Sequence, residues 1–177
     1  MAVHRLNHAV LYVRDVNRSV AFYRDVLGFQ PLSDMAGLKG AAFLQAEGSS
    51  NDHDLGLFEI GTAAGASQAG RQTVGLYHLA WEVETLSDLK RIAAKLSDAG
   101  ALVGASDHST TKALYGADPD GIEFEVSWLV PADRITDEVR AGRTRIRPLD
   151  IDREIETYGA ETRGGVGVSH ATPVIPA

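Results

Sequence analysis

Apolar and polar residues alternate along 5–13 and again along 76–83, the period of a half-buried β-strand. On the first stretch Leu6, His8, Val10 and Tyr12 fall on one face. The spacing then changes to that of a helix: Val16, Val20, Tyr23 and Leu27 recur every three or four positions, with Asp15 able to cap the start and Gly28 able to end it. Residues 41–46 and 54–60 read as strands, separated by the turn-forming run GSSNDHD. Residues 61–73 are small and polar and read as a linker. The same order follows: a strand over 76–83, a helix capped by Ser87 with Leu89, Ile92, Ala93 and Leu96 on its apolar face and Gly100 at its end, and strands over 101–104, 111–116 and 122–129. Asp118-Pro119-Asp120-Gly121 is a turn signal between the last two.

The pattern is βαβββ twice, over 5–61 and 75–129, within a domain spanning 1–130. The repetition extends to the residues themselves. LNHAVLYV carries His8 and LYHLAWEV carries His78, both reading Leu-x-His-x-x-x-x-Val. LFEI and EFEV near the two ends carry Glu59 and Glu125. One small βαβββ module cannot bury both faces of its own sheet, so the predicted fold is α+β, two modules forming an open, curved mixed sheet around a metal site. His8, His78, Glu59 and Glu125 are expected to point into its concave face, and Trp81, opposite His78, into the core. Residues 131–177 do not repeat; they read as an extension with a short helix over 131–139 and a disordered or draped stretch from 163.

Composition narrows the chemistry. The 177 residues are 44% hydrophobic and 23% charged, which suits a soluble globular domain. No apolar run approaches a membrane span, and the N-terminal MAVHRLNHAV lacks a signal-peptide core, so a cytoplasmic protein is expected. With no cysteine, any metal must be held by imidazole and carboxylate. A net charge of −7 argues against nucleic-acid binding; Arg143, Arg145 and Arg147 read as ion-pairing surface. Exposed sheet edges favour a homo-oligomer.

Two histidines and one carboxylate with open positions form the facial triad of non-haem Fe(II) oxygenases, a set that His8, His78 and Glu125 can supply. Adding Glu59 gives a four-ligand His2Glu2 site suited to Ni(II) or Zn(II) as Lewis acid. Of the six histidines, His53 and His108 remain as groups that titrate near neutrality, and His4 and His170 read as surface residues.

The paired Leu-x-His strands, FYRDVLGF (22–29) and DPDGIEFEV (118–126) resemble the vicinal-oxygen-chelate superfamily of glyoxalases, bleomycin- and fosfomycin-resistance proteins and extradiol dioxygenases. The resemblance covers residues 5–129. From His108 to Glu125 the chain reads H-x5-L-Y-x2-D-P-x-G-x3-E, which is similar to the extradiol dioxygenase signature, departing from it at Ser106. His53-Asp54 resembles the active-site histidine region of catechol 2,3-dioxygenases. The resemblance implies His8, His78 and Glu125 as iron ligands, His53 and His108 as acid/base groups, and Tyr115 as a hydrogen-bond partner of the substrate. It implies Fe(II), with Mn(II), Ni(II) or Zn(II) as alternatives, and a catecholic diol plus O2 as reactants. Glyoxalase-type lyase or isomerase chemistry on the four-ligand set, and metal-free binding of a small molecule, are the competing readings.

Overall fold

The structure, a computed structural model, describes residues 3, 5–33, 37–69 and 72–165. The readings made for His4, His170 and the tail beyond 165 lie outside the described residues. By its contacts the chain divides into two units: Met1–Gln68 with Asp118–Ile122, and Ala69–Ala117 with Glu123–Ala177.

In the first unit the order is β1 (Ala9–Val13), α1 (Val16–Leu27), β2 (Gln30–Pro31), β3 (Ala41–Gln45) and β4 (Leu55–Glu59). The sheet runs β1-β4-β3-β2, with β1 parallel to β4 and the other pairs antiparallel. Alternation sends Leu11, Val13, Leu44, Leu55 and Leu57 to the buried face that α1 covers. The Asp15 side chain accepts from Arg18 N, and Gly28 ends α1 in the left-handed region at φ 83°. The helix buries Val16, Ser19, Tyr23 and Val26. It is thus rolled slightly from the predicted stripe, leaving Val20 and Leu27 half-buried at its edges. Asp118–Ile122 belongs to this unit through polar contacts. Asp118 accepts from Tyr23 Oη at 3.2 Å and from the Asp120 and Ile122 amides at 2.8 Å, while Asp120 takes the Arg14 guanidinium at 3.0 Å and pairs with Arg18.

The second unit repeats the order as β5 (Leu79–Glu82), α2 (Leu86–Asp98), β6 (Leu102–Asp107), β7 (Thr111–Ala117) and β8 (Glu123–Leu129). A 3-10 turn at Ala132–Arg134, α3 (Asp137–Gly142), β9 (Arg147–Pro148) and α4 (Ile151–Tyr158) follow. The sheet runs β5-β8-β7-β6-β9, with β5 parallel to β8. Thr85, rather than Ser87, caps α2: its Oγ1 accepts from Asp88 N at 3.1 Å. Starting two residues earlier buries Leu86 with Leu89, Ile92 and Leu96, and Ser87 turns outward to bond Glu161. Trp81 stands opposite Val126 on the helix-covered face, away from His78.

The fold class is the predicted α+β with paired βαβββ modules. Its strands hydrogen-bond as two mixed sheets, each open. The extension is built into the second unit: β9 pairs with β6, α4 packs on α2, and the Gly164 and Gly165 amides donate to Glu84 O and Leu129 O. Among the described residues no helix is long and apolar enough to cross a membrane.

Candidate metal and acid–base site

Glu125 stands in the middle of the second sheet, opposite Ala80 on β5 and Tyr115 on β7. Ala80 lies two residues past His78, so strand alternation sends all of them to one face. There the His78 imidazole Nε2 is 3.4 Å from Glu125 Oε2, and the His78 ring is 6.0 Å from the ring of Tyr115. His78 Nδ1 is buried and has no hydrogen-bond partner among the described residues. Metal–ligand bonds of about 2.1 Å set two adjacent donors about 3 Å apart, so the His78–Glu125 pair has the spacing and the donor types of a half-built metal site.

Tyr115 completes the cluster. Its hydroxyl is 2.9 Å from His108 Nε2. Burial, and then the charge and hydrogen bond of Glu125, push its phenol up to about 12. Tyr115 is therefore a neutral hydrogen-bonding group across the physiological range.

The first unit presents the other two histidines. His8 is exposed just before β1. The loop that leaves β3 brings His53 against it, with ring centroids 4.4 Å apart and the Phe43 ring edge-on to His53 at 5.0 Å. This loop is tied by Asp54, which accepts from Ala46 N at 2.8 Å, Ser49 Oγ at 2.7 Å and Asn51 Nδ2 at 2.7 Å. Asn51 Nδ2 also donates to Asn7 O at 2.6 Å, joining the loop to the residue beside His8. His8 Nδ1 donates to Asn7 Oδ1 at 2.7 Å and His53 Nδ1 to the Asp52 carboxylate at 2.8 Å, since both partners accept only. Each ring thereby keeps its Nε2 lone pair for a metal or a proton. Asn7 and Asp52 escaped the sequence reading; their one signal is that each directly precedes a histidine.

Glu59 departs from expectation. It pairs in register with Val13, five residues past His8, whereas Glu125 pairs with Ala80, two past His78. The odd offset turns Glu59 to the α1 side of the sheet with Leu55 and Leu57, where its Oε2 accepts from Val16 N at 3.0 Å at the start of the helix. The true counterpart of Glu125 is Gly56, opposite Val10 and Phe43 as Glu125 is opposite Ala80 and Tyr115. The Phe43 ring and Val10 lie 3.5 Å from where a Gly56 Cβ would be. The His8 face of the first sheet thus has no carboxylate at the position where the second sheet has Glu125. Among the described residues, neither unit alone brings together three His, Asp or Glu side chains as a metal group. A cavity of about 230 Å³ in the first unit opens beside Tyr12, Ile60 and Ala64, and none of the candidate residues lines it.

Two βαβββ units, one carrying a histidine–carboxylate pair beside a neutral phenol, define a protein of the glyoxalase-like fold class. The chain belongs to the Glyoxalase/Bleomycin resistance protein/Dioxygenase superfamily, whose family model matches residues 5–126. It is 31% identical over 121 residues to the catechol-2,3-dioxygenase of Bacillus subtilis (strain 168), an alignment covering 68% of this chain and 40% of that protein. It is 31% identical over 100 residues to metapyrocatechase 2 of Cupriavidus necator, covering 56% of this chain and 27% of that protein. The chain thus matches less than half the length of either relative. Among solved structures, a glyoxylase/bleomycin resistance protein/dioxygenase domain from Frankia sp. EAN1pec superposes with a TM-score of 0.58 at 24% identity, covering 71% of this chain and 92% of that one. The fosfomycin resistance protein FosX of Listeria monocytogenes shares the fold at a TM-score of 0.53 and 16% identity, covering 78% and 99%.

Proposed function

We propose that this protein is an extradiol-type dioxygenase that opens the ring of a small aromatic diol next to its hydroxyls, with His8, His78 and Glu125 as the ligands of Fe(II). The observation that carries this reading is the asymmetry of the two sheets: a carboxylate beside the repeated histidine in one, a glycine in the other. That asymmetry supports a two-histidine, one-carboxylate donor set and counts against the four-ligand lyase, which needs Glu59 on the same face. The name of the Bacillus subtilis relative, a catechol-2,3-dioxygenase, supports the same choice.

The donor set suits the metal. Neutral imidazole and carboxylate bind Fe(II), and also Mn(II), Ni(II) or Zn(II), while leaving positions for a bidentate substrate. Bound there, Fe(II) would supply a redox-active Lewis acid that accepts both oxygens of the diol. The chain's own residues do the proton work. Tyr115, held neutral by burial and by the proton it gives Glu125, would turn that proton to a substrate oxygen once a metal engages the carboxylate. His108, 2.9 Å from that hydroxyl, orients it and takes up or returns a proton. His53, its Nδ1 fixed by Asp52, offers Nε2 as a second proton acceptor next to His8.

The test is oxygen consumption by protein reconstituted anaerobically with Fe(II) and given a panel of substituted catechols. The reading predicts catechol-dependent uptake with a yellow ring-opened product, lost in His78→Ala. Stoichiometric iron without uptake on any diol would sink it.

A further inference from the structure

His108 sits in a turn of unusual strain. Ser109, next to it, has φ 70°, the only non-glycine in the left-handed region among the described residues. Thr110 N donates across it to His108 O at 2.9 Å, closing a three-residue turn of a kind that is rarely populated. Such a conformation is costly for a residue with a side chain and persists only where the surroundings over-determine it.

Those surroundings come from the non-repeating extension. Ser109 Oγ donates to Val139 O in α3 at 2.7 Å. Gly142, the last residue of α3, lies against the same side chain: a Cβ there would stand 2.9 Å from Ser109 Cβ and closer still to its Oγ. From the other side, Asp107 Oδ1 accepts from Ser109 N at 2.7 Å and from Lys112 Nζ at 2.6 Å. Lys112, 3% exposed, also pairs with Glu154 of α4 at 2.9 Å. The turn is therefore clamped through Ser109 by α3 and through Asp107 and Lys112 by α4. Its first residue, His108, places Nε2 2.9 Å from the Tyr115 hydroxyl.

We infer that the extension over 131–165 is a positioning device for His108: Ser109, Gly142, Asp107, Lys112 and Glu154 hold the strained turn so that the imidazole meets Tyr115. The assignment of Ser109 and Gly142 as positioning residues rests on the dioxygenase reading only for its consequence in turnover; its geometric part stands by itself.

The experiment compares Ser109→Ala, Gly142→Ala and the double variant Ser109→Gly/Gly142→Ala in two assays. One is steady-state oxygen uptake on the best catechol. The other is imidazole 15N NMR of His108 in the metal-free protein, with the resonance assigned by its loss in His108→Gln. Ser109→Ala should lower kcat about 10-fold or more, the scale of a catalytic group displaced by a fraction of an ångström to an ångström. KM should stay within about twofold, because substrate binding is untouched, and the His108 signals should move. Gly142→Ala should do the same, and the double variant should not recover wild-type values: glycine at 109 makes room for the methyl and adopts positive φ freely, but the hydrogen bond to Val139 O that holds the turn stays unmade. Should Gly142→Ala fail to fold, Ser109→Ala and the double variant decide alone. Folded variants with wild-type kcat and unmoved His108 signals would overturn the proposal. If the wild type consumes no oxygen, the functional reading fails separately and the NMR shifts alone decide the positioning claim.

Discussion

Tyr115 and Glu125 face each other from adjacent strands, and one titration reports on both. The phenol ionises at about 10 when unfolded and is raised to about 12 here, by burial first and Glu125 second. Because the folded state favours the neutral form, the associated stability is fully present below pH of about 10 and is lost as pH rises towards about 12. Glu125→Gln removes the carboxylate and should bring the Tyr115 pKa back towards its usual value, read by 13Cζ NMR; no movement would remove Glu125 from the cause. The two glutamates should also behave differently towards metal. Glu125→Gln should weaken Fe(II) or Zn(II) binding by about 100-fold or more, whereas Glu59→Gln should leave it within about twofold and cost about 1 kcal/mol through the start of α1. Calorimetric metal titration of both variants checks this, and comparable losses would restore the four-ligand reading. Here local text misled: LFEI and EFEV look equivalent, but strand register offsets them by three positions and so to opposite faces. The adjacency of His8 and His53 was also beyond the sequence, because it depends on the Asp54 and Asn51 hydrogen bonds across a loop.

At the scale of elements, α1, α2 and seven of the strands were legible because each buries one regular stripe or face. The missed pieces carry little pattern. β2 and β9 are two-residue strands containing Pro31 and Pro148, defined by what they pair with rather than by their own periodicity. α4 turns Ile151, Glu154, Ile155 and Tyr158 inward, with the Tyr158 ring 5.5 Å from that of Trp128; a two-turn stripe broken by a glutamate is too short for a periodicity argument, although Asp150 is a sound cap accepting from Arg153 N at 3.1 Å. The start of α2 was misread because Thr85 and Ser87 are both capping residues. Burial of Leu86 at 0% exposure decides for the earlier one. Thr85→Ala should accordingly cost about 1 kcal/mol and Ser87→Ala much less; chemical denaturation of the two variants distinguishes them, and equal effects would contradict the assigned cap.

For the whole molecule, duplication explains the fold and divergence explains the site. Both units keep the βαβββ order and the leading histidine, but only the second keeps the carboxylate, and only the second is followed by the extension that clamps His108. Such divergence is what a site that needs one anionic ligand, rather than two, would require. The proposed reaction incorporates oxygen into a ring-opened diol. The most direct measurement is turnover of the preferred catechol by the Fe(II)-loaded protein under 18O2, with mass spectrometry of the product. An extradiol dioxygenase should consume one O2 per diol and place both labelled atoms in the ring-opened product. Conversion of substrate without oxygen uptake, or a product free of label in a medium where exchange is controlled, would contradict it.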